Sequence, residues 1–329
     1  MLILSADEVC RALPMDQAIA AGKEAFAALA EGRVEMPLRG QVSVKPHDGM
    51  TLVMSSFADT AEKQALAVKV VSVFQKNRER GLPLINAAVL VLDPETGRTV
   101  GLLEGGTLTA LRTGAGCGVA TELLARPDAH KVALFGAGVQ ARTLLEAVCC
   151  VRAVRSVKVY DADADRITEF IEEISDQAWC AAELHPAGSA SEAVSDADVV
   201  CTATTAAEPV FADGDLQPGT HINAIGSYQP HVQELPSETV VRAKVVVDQR
   251  EAALEETGDL IQPSQQGLIT ADHLHAELGD LVLGRKTGRS NDAEITLFKS
   301  VGLAVQDAMA ARAALANARK MGLGTEVEL

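Results

Sequence analysis

A glycine turn joins a short apolar strand to a helix near the middle of this chain. Lys131–Phe135 is an apolar run, Gly136-Ala137-Gly138-Val139-Gln140-Ala141 fits the pattern G-x-G-x-x-A, and Val139–Cys150 has a helical pattern. In such a unit the first glycine makes the turn, the second lets backbone N–H groups approach a pyrophosphate, and the final small residue lets helix and strand pack closely. Because a helix N-terminus carries partial positive charge, this segment predicts a dinucleotide-binding site.

The next strand supplies the residue that selects between the two nicotinamide cofactors. Ser156–Tyr160 has the pattern of this strand, and Asp161 follows it near the spacing of about 20 residues expected for a ribose-binding acid. A carboxylate accepts hydrogen bonds from a ribose diol and repels a 2′-phosphate. We therefore predict NAD(H) as the preferred cofactor, with NADP(H) as the alternative because Arg166 partly offsets the acid.

The alternation of strand and helix continues beyond this turn. Val199–Thr202, His221–Ile225 and Lys244–Asp248 are short apolar runs separated by helical segments. Strands that alternate with crossover helices form parallel sheets. The predicted fold class is therefore α/β, with a Rossmann-type doubly wound parallel sheet.

The residues before the glycine turn have a different pattern. Ser5 and Glu8 match a capping box that opens a helix near residues 6–13, and Met15–Arg33 is an Ala-rich helix. Thr107–Leu124 is helical in pattern despite glycines at 114, 116 and 118, which persist best where a backbone or a ligand approaches closely. The predicted strands of this region are Gln41–Lys45, Met50–Phe57, Ala65–Phe74, Ala87–Asp93 and Val100–Glu104.

The late position of the glycine turn predicts two domains in a chain of 329 residues. We expect an α+β domain over residues 1–124 that houses the substrate, and the dinucleotide-binding domain over residues 125–298. An apolar stretch, Ile295–Phe298, precedes an Ala-rich helix at Ser300–Met321. We expect this helix to return to the first domain, so that residues 299–329 complete it.

Charge and hydropathy exclude several classes of partner. Lysine and arginine number 29 and aspartate and glutamate 45, so the formal net charge is −16. Neutralising phosphates needs a basic face, so we expect no nucleic-acid partner. No apolar run approaches the about 20 residues of a membrane span, and Met1–Ser5 contains neither a basic n-region nor a cleavage site. We therefore expect neither a membrane segment nor a signal peptide.

Cysteines and histidines indicate a reducing compartment and no metal centre. None of the 6 cysteines lies in a CxxC pair, and a chain of this length needs no disulfides, so we predict free thiols and a cytoplasmic location. The close histidine pair, His273 and His275, would diverge on a helix. No metal site is predicted.

Five segments, in their order and spacing, resemble the ornithine cyclodeaminase/mu-crystallin family over nearly the whole chain. They are Val68-Lys69-Val70, Thr109–Ala115 (TALRTGA), Gly136–Ala141 (GAGVQA), Ile222–Ser227 (INAIGS) and Ile295–Gly302 (ITLFKSVG). The family includes ornithine and lysine cyclodeaminases, an archaeal-type alanine dehydrogenase and ketimine reductases acting on cyclic imines. The resemblance implies an NAD(P)-dependent oxidoreductase acting on C–N bonds, typically a homodimer joined through the sheet of its first domain.

The resemblance also implies roles for individual residues. Arg39, Lys69 and Arg112 would grip the carboxylate of the substrate, with Lys69 and Arg112 as catalytic residues. A guanidinium gives bidentate contacts to a carboxylate, and a lysine adds a point charge. Lys69 also lies in an apolar strand, Leu66–Val73, where an ammonium is costly without a partner, so the residues alone favour a functional role. Met54, Ser227 and Tyr228 are the other predicted substrate contacts.

The predicted cofactor contacts combine the glycine turn and its acid with positions taken from the family pattern. By resemblance, Thr113 contacts cofactor phosphate, and Lys299 lies with Ser300 near the nicotinamide. The full set is Thr113, Gly136, Gly138, Val139, Gln140, Asp161, Arg166, Thr202, Gly226 and Lys299.

Two departures from the cyclodeaminases favour a reductase. Those enzymes carry an acid/base Asp where this chain has Ser227 and Tyr228, and a Glu for the distal amino group where it has Thr51–Met54. Releasing ammonia needs a titratable base, and tyrosine, with a pKa of about 10, is a poor one at neutral pH. Reduction of a cyclic imine does not need this acid/base group, because the imine can carry its own proton as an iminium. Lys69 would supply or retain that proton.

These observations predict NAD(P)H-dependent reduction of a cyclic α-imino acid, of the 1-pyrroline-2-carboxylate type, to an amino acid of the L-proline type. An ornithine cyclodeaminase and an alanine dehydrogenase-like enzyme stay open as alternatives, as does a non-catalytic, crystallin-like protein that binds small molecules. The cluster of like charges argues against the last of these. Glu104 or Asp292 would favour the cyclodeaminase if either filled the place of the missing acid.

Overall fold

A computed structural model describes residues 1–60 and 63–328. The chain forms two compact units: unit 1 is Met1–Arg112 with Leu303–Leu329, and unit 2 is Thr113–Gly302. The sequence placed the divisions after residues 124 and 298, whereas the units divide after Arg112 and after Gly302. The first division lies inside one continuous helix, Gly105–Leu124, so no break in the helical pattern marks it.

The described residues form short and long strands in two sheets, together with α-helices of five to twenty residues. The strands are β1 (Leu2–Leu4), β2 (Val34–Glu35), β3 (Gly40–Val44), β4 (Gly49–Asp59), β5 (Gln64–Phe74), β6 (Ile85–Leu92), β7 (Thr99–Glu104), β8 (Lys131–Phe135), β9 (Ser156–Tyr160), β10 (Glu183–Pro186), β11 (Val199–Thr202), β12 (His221–Ala224), β13 (Lys244–Val247), β14 (Leu274–Glu277), β15 (Thr296–Lys299) and β16 (Thr325–Glu326). The helices are α1 (Ala6–Ala12), α2 (Met15–Ala30), α3 (Gly105–Leu124), α4 (Val139–Val151), α5 (Ala164–Ser175), α6 (Ala190–Val194), α7 (Ser237–Arg242), α8 (Arg250–Glu256), α9 (Gly258–Gln265), α10 (Leu278–Val282) and α11 (Ala304–Met321).

Unit 1 is built on a mainly antiparallel sheet in the order β16-β1-β7-β6-β5-β4-β2, with β3 also paired to β4. Along β4 and β5, buried residues alternate with more exposed ones, as in a sheet with one covered face. Helix α11 packs on β4, β5 and β6 and against α2, so the C-terminal helix covers this face. An apolar cluster of Leu52, Met54, Val71 and Ala304 lies beneath it.

Unit 2 is a parallel sheet in the order β10-β9-β8-β11-β12-β15-β13-β14. Every residue of β11, β12 and β15 is buried, as expected where helices cover both faces. The chain leaves β8 toward β9 on one side and returns to pair β11 on the other. Open α/β sheets bind ligands at the carboxyl ends of strands where the order reverses in this way. The predicted Rossmann-type sheet is confirmed.

Most predicted elements are present, and β8 and β9 have the predicted ends. The sequence missed β1, β2, β10, β14 and β16, which have two to four residues and lie at or next to sheet edges. Strands of two to four residues are too short to show an alternating pattern, and even the apolar β1, Leu2–Leu4, has only three residues. Of the glycines in α3, Gly114 has the predicted reason to persist, because a Cβ there would collide with the carbonyl of Thr143 in α4.

Within the described residues, no helix is long and apolar enough to cross a membrane.

Candidate active site

The glycine turn joins β8 to α4 and needs its first glycine. Gly136 has a φ of +94°, and a Cβ on it would lie 2.6 Å from the carbonyl oxygen of Ala203. Its backbone N–H donates to the carbonyl of Tyr160, 2.8 Å away. A left-handed residue in so narrow a space must lack a side chain, so the turn is fixed by the two strands that flank it.

The start of α4 is open to an anionic ligand. Gly138 is its N-cap, and no side chain caps the first turn. Val139 is 66% exposed, and the buried side-chain oxygen of Gln140 has no hydrogen-bond partner among the described residues. Unsatisfied N–H groups and a partnerless acceptor beside a glycine turn fit the phosphates and hydroxyls of a dinucleotide.

Asp161 lies at the end of β9 and faces this turn. One of its oxygens accepts from the backbone N–H of Ala137 at 2.8 Å, and the other accepts from that of Asp163 at 3.0 Å. Arg166 is 3.6 Å from the same carboxylate, and its Nη2 lies 3.4 Å from the Cβ position of Gly138. Each carboxylate oxygen retains a lone pair for a ribose hydroxyl, while the guanidinium beside it weakens the repulsion of a 2′-phosphate.

A buried carboxylate, Glu234, holds the strand ends next to the turn. It accepts hydrogen bonds from the hydroxyl of Thr202 at 3.0 Å, from the N–H and hydroxyl of Thr204 and from the backbone N–H of Ser227. Burial is the main cause that raises the pKa of Glu234. Gly226 is pressed against this carboxylate, where a Cβ would collide with it.

The predicted substrate contacts of unit 2 differ in their surroundings. Ser227 is fully buried, and its hydroxyl donates to the carbonyl of Val232 at 2.5 Å and lies 2.8 Å from the hydroxyl of Thr257. Tyr228 is half-buried, and burial raises its pKa, so the phenol is neutral at physiological pH. The hydroxyl of Ser227 therefore holds its own loop, while Tyr228 keeps a neutral hydrogen-bonding group.

Lys299 ends β15 and is fully buried. Its ammonium lies 2.9 Å from Asp259, and the other oxygen of Asp259 accepts from the backbone N–H groups of Glu234 and Leu235. The Lys299–Asp259 pair thus ties β15 to the loop that carries Glu234. Thr113 is buried in α3.

In unit 1, Lys69 lies on the covered face of β5, opposite Met54 of β4 and Val89 of β6. Its side chain is 1% exposed, and its ammonium lies 2.6 Å from Asp307 of α11. Burial lowers the pKa of Lys69 to about 8, and the charges of Arg112 and Arg39 lower it further against the opposing pull of Asp307. The ammonium is therefore protonated at neutral pH but close to titration.

Arg112 reaches the same carboxylate from α3. Its Nε donates to Asp307 at 3.0 Å, and Nη1 lies 3.5 Å from the side-chain oxygen of Gln306. Arg39 is half-buried and close enough for its charge to act on Lys69. The structure thus brings two predicted cations, Lys69 and Arg112, onto one aspartate, and the charge of the third, Arg39, acts on Lys69.

Sequence reasoning missed Asp307, Gln306, Glu234 and Asp259. An acid on the covered face of the Ala-rich helix α11 was a usable signal, because a buried charge needs a partner. The other acids considered lie elsewhere: Glu104 accepts from the N–H groups of Gly106 and Thr107 and so caps α3. The backbone oxygen of Asp292 lies against the Cβ position of Gly219, in the loop before β12.

The histidine pair contacts backbone, with His273 2.8 Å from the carbonyl of Val240 and His275 2.9 Å from that of Thr287. Among residues 1–60 and 63–328, no group of three His, Cys, Asp or Glu could hold a metal ion.

The parallel sheet with its glycine turn and acid at the end of β9 defines the class as nicotinamide-dependent oxidoreductases. The model of the ornithine cyclodeaminase/mu-crystallin family matches residues 1–321. The Delta(1)-pyrroline-2-carboxylate reductase of Bacillus thuringiensis subsp. konkukian is 42% identical over 100% of both chains.

Two solved structures extend this likeness. The Thermococcus litoralis Delta(1)-pyrroline-2-carboxylate reductase, in complex with NADH and L-proline, is 44% identical, with a TM-score of 0.95 over 99% of this chain and 100% of that one. An archaeal alanine dehydrogenase dimer with bound NAD is 34% identical, with a TM-score of 0.91 over 100% and 99%. The chain belongs to the ornithine cyclodeaminase/mu-crystallin family, as its motifs predicted.

Proposed function

We propose that this chain reduces 1-pyrroline-2-carboxylate to L-proline with NADH. The observation that carries the proposal is the buried cluster of Lys69, Arg112 and Asp307, in a chain that matches reductases of this substrate over its full length. The predicted enzyme class, a nicotinamide-dependent oxidoreductase that reduces a C=N bond, is confirmed by these relatives.

Arg112 and Arg39 bind the carboxylate of the substrate in this proposal. Arg112 contacts Asp307 through Nε and Gln306 through Nη1, which leaves Nη2 and the second hydrogen of Nη1 as donors. Charge-assisted hydrogen bonds from a guanidinium fix a carboxylate in both position and plane. The imine carbon, attached to that carboxylate, is oriented by the same contacts.

Lys69 supplies the proton. When a hydride adds to the imine carbon, the former π pair stays on nitrogen, so the nitrogen must already carry a proton or receive one. With a pKa of about 8, the Lys69 ammonium is charged at neutral pH and is a stronger acid than an ordinary lysine. Donation leaves a neutral amine, which solvent then reprotonates.

The cofactor site lies in unit 2. A bound NADH supplies the hydride. Gly136 and Gly138 keep the turn narrow for the pyrophosphate, Gln140 offers an unpaired acceptor, and Asp161 accepts from the ribose. Thr202 pairs with Glu234 and Lys299 pairs with Asp259, so these two side chains stabilise the strand ends near the cofactor site and do not offer free groups to the cofactor.

Ornithine fits unit 1 poorly. Its distal ammonium would need a carboxylate, but Lys69 faces Met54 and Val89, and Asp307 already pairs with two cations. An unpaired ammonium in an apolar site is strongly disfavoured.

We also propose a homodimer joined through the uncovered face of the unit 1 sheet. Val53, Val70 and Leu90 lie on adjacent strands of this face and are 41%, 38% and 36% exposed. Neighbouring exposed apolar side chains on one sheet face are typical of an interface between subunits. Light scattering should give twice the 34.5 kDa chain mass for the native protein, and a monomer for Val70→Asp.

We propose a cytoplasmic location for the enzyme. Cys117 and Cys201 are buried free thiols, which fits a reducing compartment.

The test follows NADH absorbance with 1-pyrroline-2-carboxylate and, separately, with pyruvate plus ammonia. Ornithine with catalytic NAD is assayed for ammonia release. We expect rapid oxidation of NADH with the imine and marginal rates in the other two assays. Ammonia release from ornithine at a turnover matching imine reduction would contradict the proposal and favour a cyclodeaminase.

A further inference from the structure

Asp307 of α11 lies between Lys69 and Arg112, which have different roles in the proposed reaction. Its Oδ2 lies 2.6 Å from the ammonium of Lys69, and its Oδ1 accepts from Nε of Arg112 at 3.0 Å. The three side chains are 1%, 1% and 8% exposed. Each carboxylate oxygen therefore serves one cation, away from solvent.

Among the described residues, Asp307 is the anion that acts on the ammonium of Lys69. The strands on either side present Met54 and Val89 on its face. The ionisable groups that act most on it are Asp307 of α11, Arg112 of α3 and Arg39, which follows β2. Two of these are cations, so Asp307 alone among them favours the charged ammonium.

Arg112 is held on one side by α11. Its Nε contacts Asp307, and Nη1 approaches Gln306, whose side-chain oxygen also accepts from the backbone N–H of Leu303 at 2.9 Å. The first turn of α11 thereby fixes the plane of the guanidinium. Neither contact uses Nη2, which keeps its donors for a ligand.

We propose that Asp307 is a positioning residue for the reduction, an inference that rests on the proposed function. One oxygen fixes the guanidinium of Arg112 for the substrate carboxylate, and the other keeps Lys69 in its protonated form for transfer to the imine nitrogen.

The direction of the effect follows from the charges. Burial and two neighbouring cations already lower the pKa of Lys69 to about 8 in the presence of Asp307. A nearby opposite charge is worth about 1–3 pKa units. In Asp307→Asn the pKa of Lys69 falls by about this amount, so at neutral pH much of the lysine loses its proton.

The first experiment measures this titration without substrate. Lysine side chains are labelled with ¹³C at Cε, and the Lys69 signal is identified by its absence in Lys69→Met. We expect its midpoint at about pH 8 in the native protein and about 1–3 units lower in Asp307→Asn. An unchanged midpoint in folded Asp307→Asn would overturn the inference.

The second experiment is the pH profile of kcat/KM for imine reduction. Activity needs protonated Lys69, so it falls as pH rises through the pKa, and a lower pKa moves this alkaline limb to lower pH. Asp307→Asn should therefore recover activity relative to the native enzyme as the pH is lowered. A uniform loss at every pH would indicate a merely structural role and overturn the inference.

Two further variants keep the test decisive. Asp307→Glu retains the negative charge, so the alkaline limb of its kcat/KM profile should stay near that of the native enzyme while KM rises. If Asp307→Asn does not fold, Asp307→Glu takes its place, and a displaced alkaline limb in that variant overturns the inference. Asp198→Asn is the matched control, because Asp198 pairs with Arg126 and accepts from the backbone N–H groups of His130 and Lys131. It should lower thermal stability and leave the Lys69 midpoint unchanged.

The outcomes separate this inference from the proposed function. A native protein that does not reduce the imine, but in which Asp307→Asn still moves the Lys69 midpoint, would refute the substrate and leave the ionic coupling standing. A native protein that reduces the imine, with both midpoint and alkaline limb unmoved in Asp307→Asn, would refute the role of Asp307 alone.

Discussion

Replacing Lys69 by methionine should separate stability from catalysis. The ammonium is buried on β5 between Met54 and Val89, and its pKa of about 8 lies below the ordinary value of 10.5. Each unit of pKa difference corresponds to about 1.36 kcal/mol, so holding this ammonium disfavours the folded state by about 3 kcal/mol. That penalty is complete below pH 8 and vanishes above pH 10.5, where the lysine is neutral in both states.

Methionine has a similar length and no charge, and Asp307 keeps Arg112 as its partner. We expect Lys69→Met to match or exceed the native free energy of unfolding at pH 7, by at most about 3 kcal/mol. The difference should shrink between pH 8 and pH 10.5, because the native protein gains stability over that range. Loss of the proton donor should lower kcat/KM by about 10²–10⁴.

Urea unfolding at several pH values and steady-state kinetics measure the two effects. Lys63→Met is the control, because Lys63 forms a half-exposed ion pair with Glu24 at 2.8 Å and such pairs contribute little. A Lys69→Met variant clearly less stable than the native protein at pH 7, or one with native kcat/KM, would refute the reasoning.

Three other substitutions test the remaining contacts. Arg112→Lys should lower kcat/KM for imine reduction by about 10- to 100-fold in steady-state assays, because a lysine cannot reproduce the guanidinium's paired contacts; native kinetics would remove Arg112 from the site. Asp161→Ser should narrow the preference for NADH over NADPH, measured as the ratio of the two kcat/KM values, and a native enzyme more efficient with NADPH would contradict the role of Asp161. Gly136→Ala should weaken NADH binding about tenfold or more in a fluorescence titration, because an alanine at a φ of +94° would also press on Ala203; unchanged affinity would show that the turn does not hold the cofactor.

The sequence predicted the structure best where residues close together in the chain determine it. The strand, glycine turn and helix at residues 131–151 follow from propensity and from the steric demand at Gly136, all within one short segment. The capping box of α1 is equally local, since Glu8 accepts from both the N–H and the hydroxyl of Ser5.

Contacts between segments far apart in the chain could not be predicted from local sequence patterns. Asp307 pairs with Lys69 and Arg112, which lie far away in the sequence, and only the packing of α11 on the sheet brings them together. The sequence also placed the start of α11 at Ser300, whereas Ser300, Val301 and Gly302 bind the buried carboxylate of Asp248 and the helix begins at Ala304. Both the ion pairs of Asp307 and the start of α11 depend on buried partners that lie in other segments of the chain.

For the buried ion pairs of the candidate site, the sequence singled out the cations Lys69, Arg112 and Lys299 but not their anionic partners. Lys69 stood out as a charge in an apolar strand, whereas Glu234 and Asp259 lie in segments where an acid looks like ordinary surface. Backbone N–H groups and Lys299, which the tertiary fold brings to these carboxylates, offset the cost of burying them.

Isotopic labelling of the hydride tests whether the enzyme transfers it to the imine carbon. Native protein is incubated with 1-pyrroline-2-carboxylate and NADH carrying two deuterium atoms at C4 of the nicotinamide, and the product is analysed by chiral chromatography and mass spectrometry. We predict L-proline with one deuterium at C2, formed in proportion to the NADH consumed. At limiting substrate it should form about 10²–10⁴ times more slowly with Lys69→Met and about 10- to 100-fold more slowly with Arg112→Lys. Proline without deuterium, or no proline at all, would contradict the assignment as an imine reductase.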